Sequence, residues 1–584
     1  MNKYIDIISK QLKDAFEKCG YSAEKISASV SNRPDLCEYQ CNGAMVIAKT
    51  VGKAPLIIAE EVASVLKEKE FFAEVAVVKP GFINLKVSGS LIAEYVDLMA
   101  HSEKFGMEKP EKNKKIIIDY GGANVAKPLH IGHLRSAIIG ESLKRICNYI
   151  GHDAIGDVHL GDWGLQMGQI IAELKERSPE LPYFDESFKG SYPKEAPFTI
   201  SELEEIYPCA SKKCKEDEEF AAKAHQATAD LQAKVPGYIA IWNHVLNVSV
   251  ADLKKNYDAL DVHFELWKKE SDAQPYIPEM LESMKKMGIV KESQGALIVD
   301  IAEETDKKEL PPCIIVKSDG ATLYSTTDLA TIVEREKLFH PDDIIYVVDK
   351  RQDLHFIQVF RTARKAHLVN DDVEMLFLGF GTMNGKDGQP YKTRSGGVMR
   401  LETLISEINE AVAEKMKENK EFDQAEIQET AKIIGLSALK YGDLSNQATK
   451  DYIFDISRFT SFEGNTGPYI LYTIVRIKSI LKKYGKMPSG NISFTGEKAE
   501  KELMIELSKF SEVIENAYKE LAPHKICSFI YDLANAFNVF YHEIKILSEP
   551  NEQKKDSYLS LLQLTKNVLE QCIALLGFAA PDRM

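Results

Sequence analysis

The chain has 584 residues, a length for two to four domains, and its 44% hydrophobic and 28% charged content suits a globular protein with sizeable cores. A net charge of −15 excludes a surface coated in basic residues but leaves room for a local basic face that meets RNA. No apolar run nears the roughly 18 residues of a membrane helix, and nine scattered cysteines with no zinc-knuckle spacing point to reduced thiols, no structural zinc and a cytoplasmic home.

Residues 1 to about 108 read as a separate small α/β domain. Its first helix carries Asp6, Asp14 and Glu17, which suits a surface helix and not a signal peptide. Ala44 to Lys49 and Val75 to Val78 read as apolar elements, and Lys79-Pro80-Gly81 turns into an alternating strand containing Phe82 and Asn84. A flat ring such as Phe82 can stack on an unpaired base whose edge Asn84 can bond. A core ring and a turn residue fit the same two positions.

The stretch from Lys115 to Ile150 organises the rest. Ile116, Ile117 and Ile118 form a short apolar run, Gly121 and Gly122 follow, and Pro128 breaks the chain. Leu134, Ile138, Leu143, Ile146 and Ile150 then keep one helical face apolar until Gly151, and a second strand-like run spans Ala154 to Val158. Strand, turn, helix and strand make a βαβ unit and the start of a parallel sheet. His130-Ile131-Gly132-His133 heads the helix. A spacing of three puts both imidazoles on one face of the first turn. Unpaired backbone N–H groups and the positive end of the helix dipole would favour phosphate there, and Gly132 lets a flat ring approach. A helix start with two solvated histidines fits the tetrapeptide equally well.

The longer string Asn124-Val125-Ala126-Lys127-Pro128, then His130 to His133, then Leu134-Arg135-Ser136, resembles the class I aminoacyl-tRNA synthetases, and within them the arginyl-tRNA synthetases. The resemblance covers nearly the whole chain and is weakest between about 175 and 235. It implies a Rossmann-type parallel-sheet catalytic domain (109 to about 405), an N-terminal α/β appended domain (1–108) that grips the tRNA elbow, and a C-terminal all-helical anticodon-binding bundle (406–584). Where the family often has Gly-Asp before Tyr39-Gln40, this chain has Cys37-Glu38.

Later elements are read on that frame. His159 to Gly164 and Gln166 follow the second strand, where parallel sheets bind ligands. About 175–294 looks like a charged, helical insertion, in which Asp261 to Trp267 alternates like a strand with His263 as a packed residue. The sheet resumes at Ala296 to Asp300 and Cys313 to Lys317. A helix from Leu323 then sets Tyr324 and Asp328 on one face. Ile344 to Val348 is a buried strand, with Gln352 and His355 just past its end. Gly385 to Gly397 is a glycine-rich basic loop in the place of the family's KMSKS loop. Lys392 matches its first lysine, but Ser395 stands where the second would be. The helical end carries Phe462 to Tyr469 as a loop, a helix with Arg476, and an aromatic stripe whose Phe537 is expected in the core.

The resemblance implies that the protein joins L-arginine to ATP, giving arginyl-adenylate and pyrophosphate, and passes arginine to the terminal ribose of tRNA(Arg). It implies catalytic roles for His130, His133, Lys127, Lys392 and Arg394. Contacts to ATP fall to Ala123, Pro128, Leu129, His130, Gly132, His133, His355 and Lys392. Arginine falls to Asp119, Asn124, Tyr324, Asp328 and Gln352, and tRNA to Phe82, Asn84, Tyr469, Arg476 and Met584. Asp119 and Asp328 both suit the guanidinium or, for Asp119, the α-ammonium. Mg²⁺ is expected to ride on ATP. The family's need for tRNA in amino-acid activation fits a second cation supplied by Lys127, ordered with the loop by tRNA. A monomer is expected. A small-molecule nucleotidylyltransferase would need no long flanking domains, and a non-catalytic tRNA-binding paralogue would not keep both histidines.

Overall fold

The structure, a computed structural model, describes residues 1–318, 320–389, 391, 399–417 and 422–584. They form two compact units. One holds Met1–Pro110 with Ser461–Ala574 and Ala579–Met584; the other holds Glu111–Thr460 with Leu575–Phe578.

The second unit contains a parallel sheet of β1 (Lys115–Asp119), β2 (Asp153–Leu160), β3 (Leu266–Lys269), β4 (Asp343–Asp349) and β5 (Glu374–Phe380) in the order β5-β4-β1-β2-β3. The order reverses between β1 and β4, and at such a switch point the crevice past the strand ends receives ligands. β1 is an isoleucine run buried on both faces, as a central parallel strand must be. Its register sets Asp119 beside Asp157 of β2 on one side and beside Tyr346 of β4 on the other. Helix α1 (Ile131–Ile150) follows β1. The Ser136 hydroxyl accepts the Gly121 N–H at 2.8 Å and donates to the Val347 carbonyl at 2.6 Å, tying α1 to the ends of both strands.

β3 lies inside the segment read as an insertion; where Asp261 to Trp267 is expected to alternate like a strand, the strand is Leu266–Lys269. His263, expected to pack, is exposed and its Nε2 lies 3.0 Å from Asp261. The border drawn at 405/406 falls within this unit. Arg135 of α1, fully buried, donates to Asp443 at 3.0 Å on the helix Gln424–Leu444 and to the Gly381 carbonyl at 2.7 Å. A buried charge has to be paired, and its partner lies past the expected border.

The other unit joins the two chain ends. An antiparallel sheet runs in the order Ser29–Val30, Tyr39–Cys41, Phe82–Val87, Phe72–Val78, and is packed by helices that include Tyr4–Lys18 and Pro55–Lys67. Helices Gly467–Tyr484, Lys498–Ser508, Phe510–Lys519, His524–Glu543 and Glu552–Leu575 make the bundle. Phe494 lies against Gly89 so closely that a Cβ there would overlap its ring. Lys3 pairs with Glu515 at 2.5 Å, and the Asp97 carboxylate accepts the Ile492 N–H at 2.7 Å. Glu38, the departure from the family's Gly-Asp, pairs with Lys501 and accepts the Val87 N–H at 2.7 Å.

Candidate active site

A cavity of about 700 Å³ opens at the switch point. Its walls bring together Asp119, Ala123, Asn124, His130, Gly132, His133, Tyr324, Asp328, Gln352 and His355 from the sequence reading, and add Glu270. A smaller pocket of about 260 Å³ shares Asn124, Glu270 and Tyr324 with it and is lined by Lys127. Pro128 and Leu129 do not line the cavity. Leu129 is buried, and its carbonyl accepts the Leu401 N–H at 2.9 Å.

The head of α1 differs from the expectation of free backbone donors. The His130 N–H goes to His133 Nδ1 at 3.2 Å, the Ile131 N–H to the Met399 carbonyl at 3.2 Å and the Gly132 N–H to His130 Nδ1 at 3.0 Å. The helix caps itself with its own histidines. Both Nδ1 atoms accept, so both rings are neutral and carry their proton on Nε2, an N–H donor left over for a ligand. Burial lowers the His130 pKa, and the Lys127 charge adds to it. His133 is pushed down to about 3 by burial and by His130. The two rings lie 4.0 Å apart between centroids. Gly132 is needed for this arrangement: a Cβ would stand 2.7 Å from His130 Cε1. The close flat ring is the motif's own.

The acidic groups fall into two sets. On the floor, Arg335 of helix α3 (Tyr324–Phe339) donates from Nη2 to Asp119 at 2.5 Å and to Asp157 at 2.6 Å, with its guanidinium carbon 5.3 Å from the Tyr346 ring centroid. Burial raises the Asp157 carboxyl against the pull of Arg335. On the wall, Asp328 of α3 meets His355 of helix α4 (Asp353–Lys365), with Oδ2 and Nε2 2.5 Å apart. Glu270 stands near Asp328. Burial first, then the Asp162 and Asp328 charges, raise its pKa to about 7. Asp162 positions Glu270's neighbour, accepting the Ser271 N–H at 2.9 Å and hydroxyl at 2.6 Å. Tyr324 is 69% exposed, at the rim.

Lys127 extends its Nζ to 4.6 Å from the Tyr207 ring on helix α2 (Ile200–Glu216) of the insertion. Glu204 of the same helix pairs with Arg400. Lys392, Arg394 and Ser395 lie outside the described residues. Met399 to Leu401, which follow that loop in sequence, pair with Leu129 to Ile131.

In the other unit, Asn84 is buried and accepts the Gln40 amide at 2.8 Å, while Phe82 is partly buried. The Tyr469 hydroxyl donates to Asn535 at 2.7 Å and accepts from Asn538 at 2.8 Å. Arg476 donates to Asn538 and lies between Tyr472 and Tyr541, 4.7 and 5.1 Å from their ring centroids. Tyr472 and Tyr541 are partly exposed, whereas Phe537 is fully buried, as expected. Met584 is partly buried at the chain end.

Glu270, Arg335 and Tyr472 are additions of the structure, while Tyr541 belongs to the aromatic stripe of the helical end. Tyr472 had a readable signal, since it and Arg476 are one turn apart. Glu270 had none, standing after Lys268 and Lys269 in a mixed-charge stretch.

The comparisons fit this geometry. The family model "tRNA synthetases class I (R), catalytic domain" matches residues 95–456, "Arginyl tRNA synthetase N terminal domain" matches 2–87 and "DALR anticodon binding domain" matches 470–584. The chain is 60% identical to an arginine–tRNA ligase of Agathobacter rectalis and 57% identical to one of Alkaliphilus oremlandii, covering 100% of both chains in each case. Its fold matches the crystal structure of arginyl-tRNA synthetase from Plasmodium falciparum with a TM-score of 0.83 at 26% identity, again over 100% of each chain. With its parallel sheet, self-capped histidine motif and full-length relatives, the chain belongs to the class I arginyl-tRNA synthetase family.

Proposed function

We propose that the 700 Å³ cavity is where arginine and ATP react and that its acidic wall selects arginine. The protein is an ATP-dependent arginine–tRNA ligase. In its first step the arginine carboxylate attacks the α-phosphorus, and pyrophosphate leaves. In the second a ribose hydroxyl of tRNA attacks the acyl carbon, and AMP leaves. The observation that carries the site assignment is the pair of Nε2–H donors facing the same cavity as two carboxylates. Neutral imidazoles meet charge developing on the α-phosphate without being deprotonated themselves. Asp328 and Glu270 suit a guanidinium, which is planar, permanently charged and bonds carboxylates in forked fashion. Asp119, already held by Arg335, suits the α-ammonium better than the guanidinium.

Lys127, Lys392 and Arg394 are assigned to the phosphates, Lys127 after leaving Tyr207. Among the described residues no group of three His, Cys, Asp or Glu could hold a metal ion. Mg²⁺ is assigned to the ATP phosphates and water, as part of the substrate. Tyr469, Arg476 and Met584, with Tyr472 and Tyr541, are assigned to anticodon contacts, and Phe82 and Asn84 to the tRNA elbow; Asn84 would first have to release Gln40. We assign a monomer acting in the cytoplasm on tRNA(Arg). Pyrophosphate exchange with each amino acid, with and without tRNA, tests the reading. Exchange with arginine alone among the amino acids is expected, and exchange lost in Lys127→Ala. Exchange with another amino acid at a comparable rate would overturn the selecting role of the wall.

A further inference from the structure

Asp328 already has a partner from within the protein. Its Oδ2 lies 2.5 Å from Nε2 of His355, and both side chains are 27% exposed at the cavity wall. The two residues come from different helices, α3 and α4, whose buried faces share one apolar core behind this wall of the cavity. His355 also sets its ring edge-on to Phe356, with centroids 5.2 Å apart. A forked bond from a guanidinium needs both carboxylate oxygens along their lone-pair directions. The imidazole takes a lone pair of Oδ2, an oxygen that a forked guanidinium bond also uses. A guanidinium that docks on Asp328 through both oxygens therefore competes with the imidazole for Oδ2. The displaced ring keeps a donor and stays in a cavity also lined by His130 and His133.

We propose that His355 is a specificity gate on the arginine subsite: it covers Asp328 in the empty site, yields only to a planar, fixed cation, and then offers its freed Nε2–H to the nucleotide, so that arginine and ATP tighten one another's binding. The proposal rests on the cavity being the arginine site, as argued above. Its logic is one of differential contacts. A neutral urea, as in citrulline, cannot replace the imidazole at a carboxylate. A lysine ammonium reaches one oxygen and leaves the other unmatched. Arginine satisfies both, and the energy lost with the internal bond is recovered by a pair of charge-assisted ones. Coupling then runs in both directions by the same factor, because binding free energies are linked.

The test is calorimetry on the full chain with arginine, citrulline and a non-hydrolysable ATP analogue, singly and together. In the wild-type protein arginine should tighten the analogue by about fivefold or more, the usual lower size of a coupling between sites. In His355→Ala, arginine alone should bind about tenfold tighter, the preference over citrulline should narrow, and the coupling factor should fall to about one. Arginine binding unchanged or weakened in His355→Ala with coupling intact would overturn the gate, as would absence of coupling in the wild type. Asp328→Asn separates the two readings: if it leaves arginine affinity unchanged, the subsite assignment fails; if it destroys affinity while His355→Ala behaves as wild type, only the gate fails. Should His355→Ala not fold, the ¹⁵N shift of the His355 Nε2 in the wild type decides. It should move on adding arginine and stay still on adding citrulline; a shift unmoved by arginine refutes displacement.

Discussion

The floor and the wall of the cavity hold similar carboxylates in opposite states. On the floor, strand register forces Asp119 and Asp157 side by side, and a single buried arginine answers both. On the wall, Glu270 and Asp328 have no arginine between them. Asp328 is covered by a histidine, and Glu270 is left with a raised pKa. The floor already has its countercharge inside the fold, and Asp119 still borders the cavity. The wall is short of a planar cation, which is the chemical description of an arginine side chain. Carboxylates with a guanidinium of the fold between them and carboxylates without one are set for different work, a distinction that residue types alone do not make.

The largest effect should come from opening the floor. Arg335→Met leaves two facing carboxylates buried without a partner. Breaking a buried pair in this way costs about 3–5 kcal/mol, read as a loss in chemical denaturation at pH 8. Adding Asp157→Asn should recover part of it. Stability equal to wild type in the single variant would show that the floor is not the structural half of the comparison.

Chemistry at the histidines comes next. His133→Ala should slow pyrophosphate exchange by about 10²- to 10³-fold, the loss of one transition-state donor, while arginine affinity by calorimetry barely changes. The variant also releases the His130 N–H from its cap, so His133→Asn, which can still accept there, is the control for helix start. An unchanged exchange rate would remove the imidazole from the reaction. On the wall, Asp328→Asn should raise the Michaelis constant for arginine by about 10²-fold, within the range for truncating one member of a buried, bonded charge pair. The constant for ATP should move far less. An equal loss of both would erase the distinction between wall and phosphate site.

These residues were unequally legible in the chain. His130 and His133 stand out because a spacing of three on a helix start has few innocent explanations next to Asn124 and Lys127. Tyr324 and Asp328 follow from one helical turn. Arg335 does not: an arginine late in a charged helix reads as solvent-facing, and only the register of β1 against β2 gives it two carboxylates to meet. Glu270 sits on a four-residue helix after the edge strand, in a segment that reads as insertion. Its place depends on Asp162, more than a hundred residues earlier, gripping Ser271. The free N–H groups expected at α1 were misjudged for a related reason. Propensity describes a helix end as unsatisfied, whereas here the side chains of the motif and the Met399 carbonyl satisfy it. Similarly, the border at 405/406 follows the start of an all-helical pattern, but Arg135 ties a helix beyond it to the helix that follows β1.

The smallest effect, and the one that most sharply separates wall from floor, concerns Glu270. Burial and the charges of Asp162 and Asp328 raise its pKa from 4.5 to about 7. A carboxyl whose folded pKa is raised binds its proton more tightly in the folded chain than in the unfolded one. Its ionisation therefore costs stability, the cost begins above the unfolded value near 4.5 and is complete above about 7. The shift corresponds to about 3 kcal/mol at most, and partial exposure of the side chain reduces that to about 1–2 kcal/mol. Glu270→Gln keeps the shape and removes the charge, so it should stabilise the empty protein by about that amount at pH 8 and by about a quarter of it at pH 5. The same change should weaken arginine binding and flatten its pH profile. Wild-type affinity should fall from pH 8 to pH 6 as the carboxylate takes up its proton, and the variant's should not. Gain in stability with loss of affinity is the signature of a group kept charged for a ligand. A Glu270→Gln protein that is no more stable at pH 8, or whose arginine affinity still falls between pH 8 and pH 6 as in wild type, would place Glu270 with the floor and not with the wall.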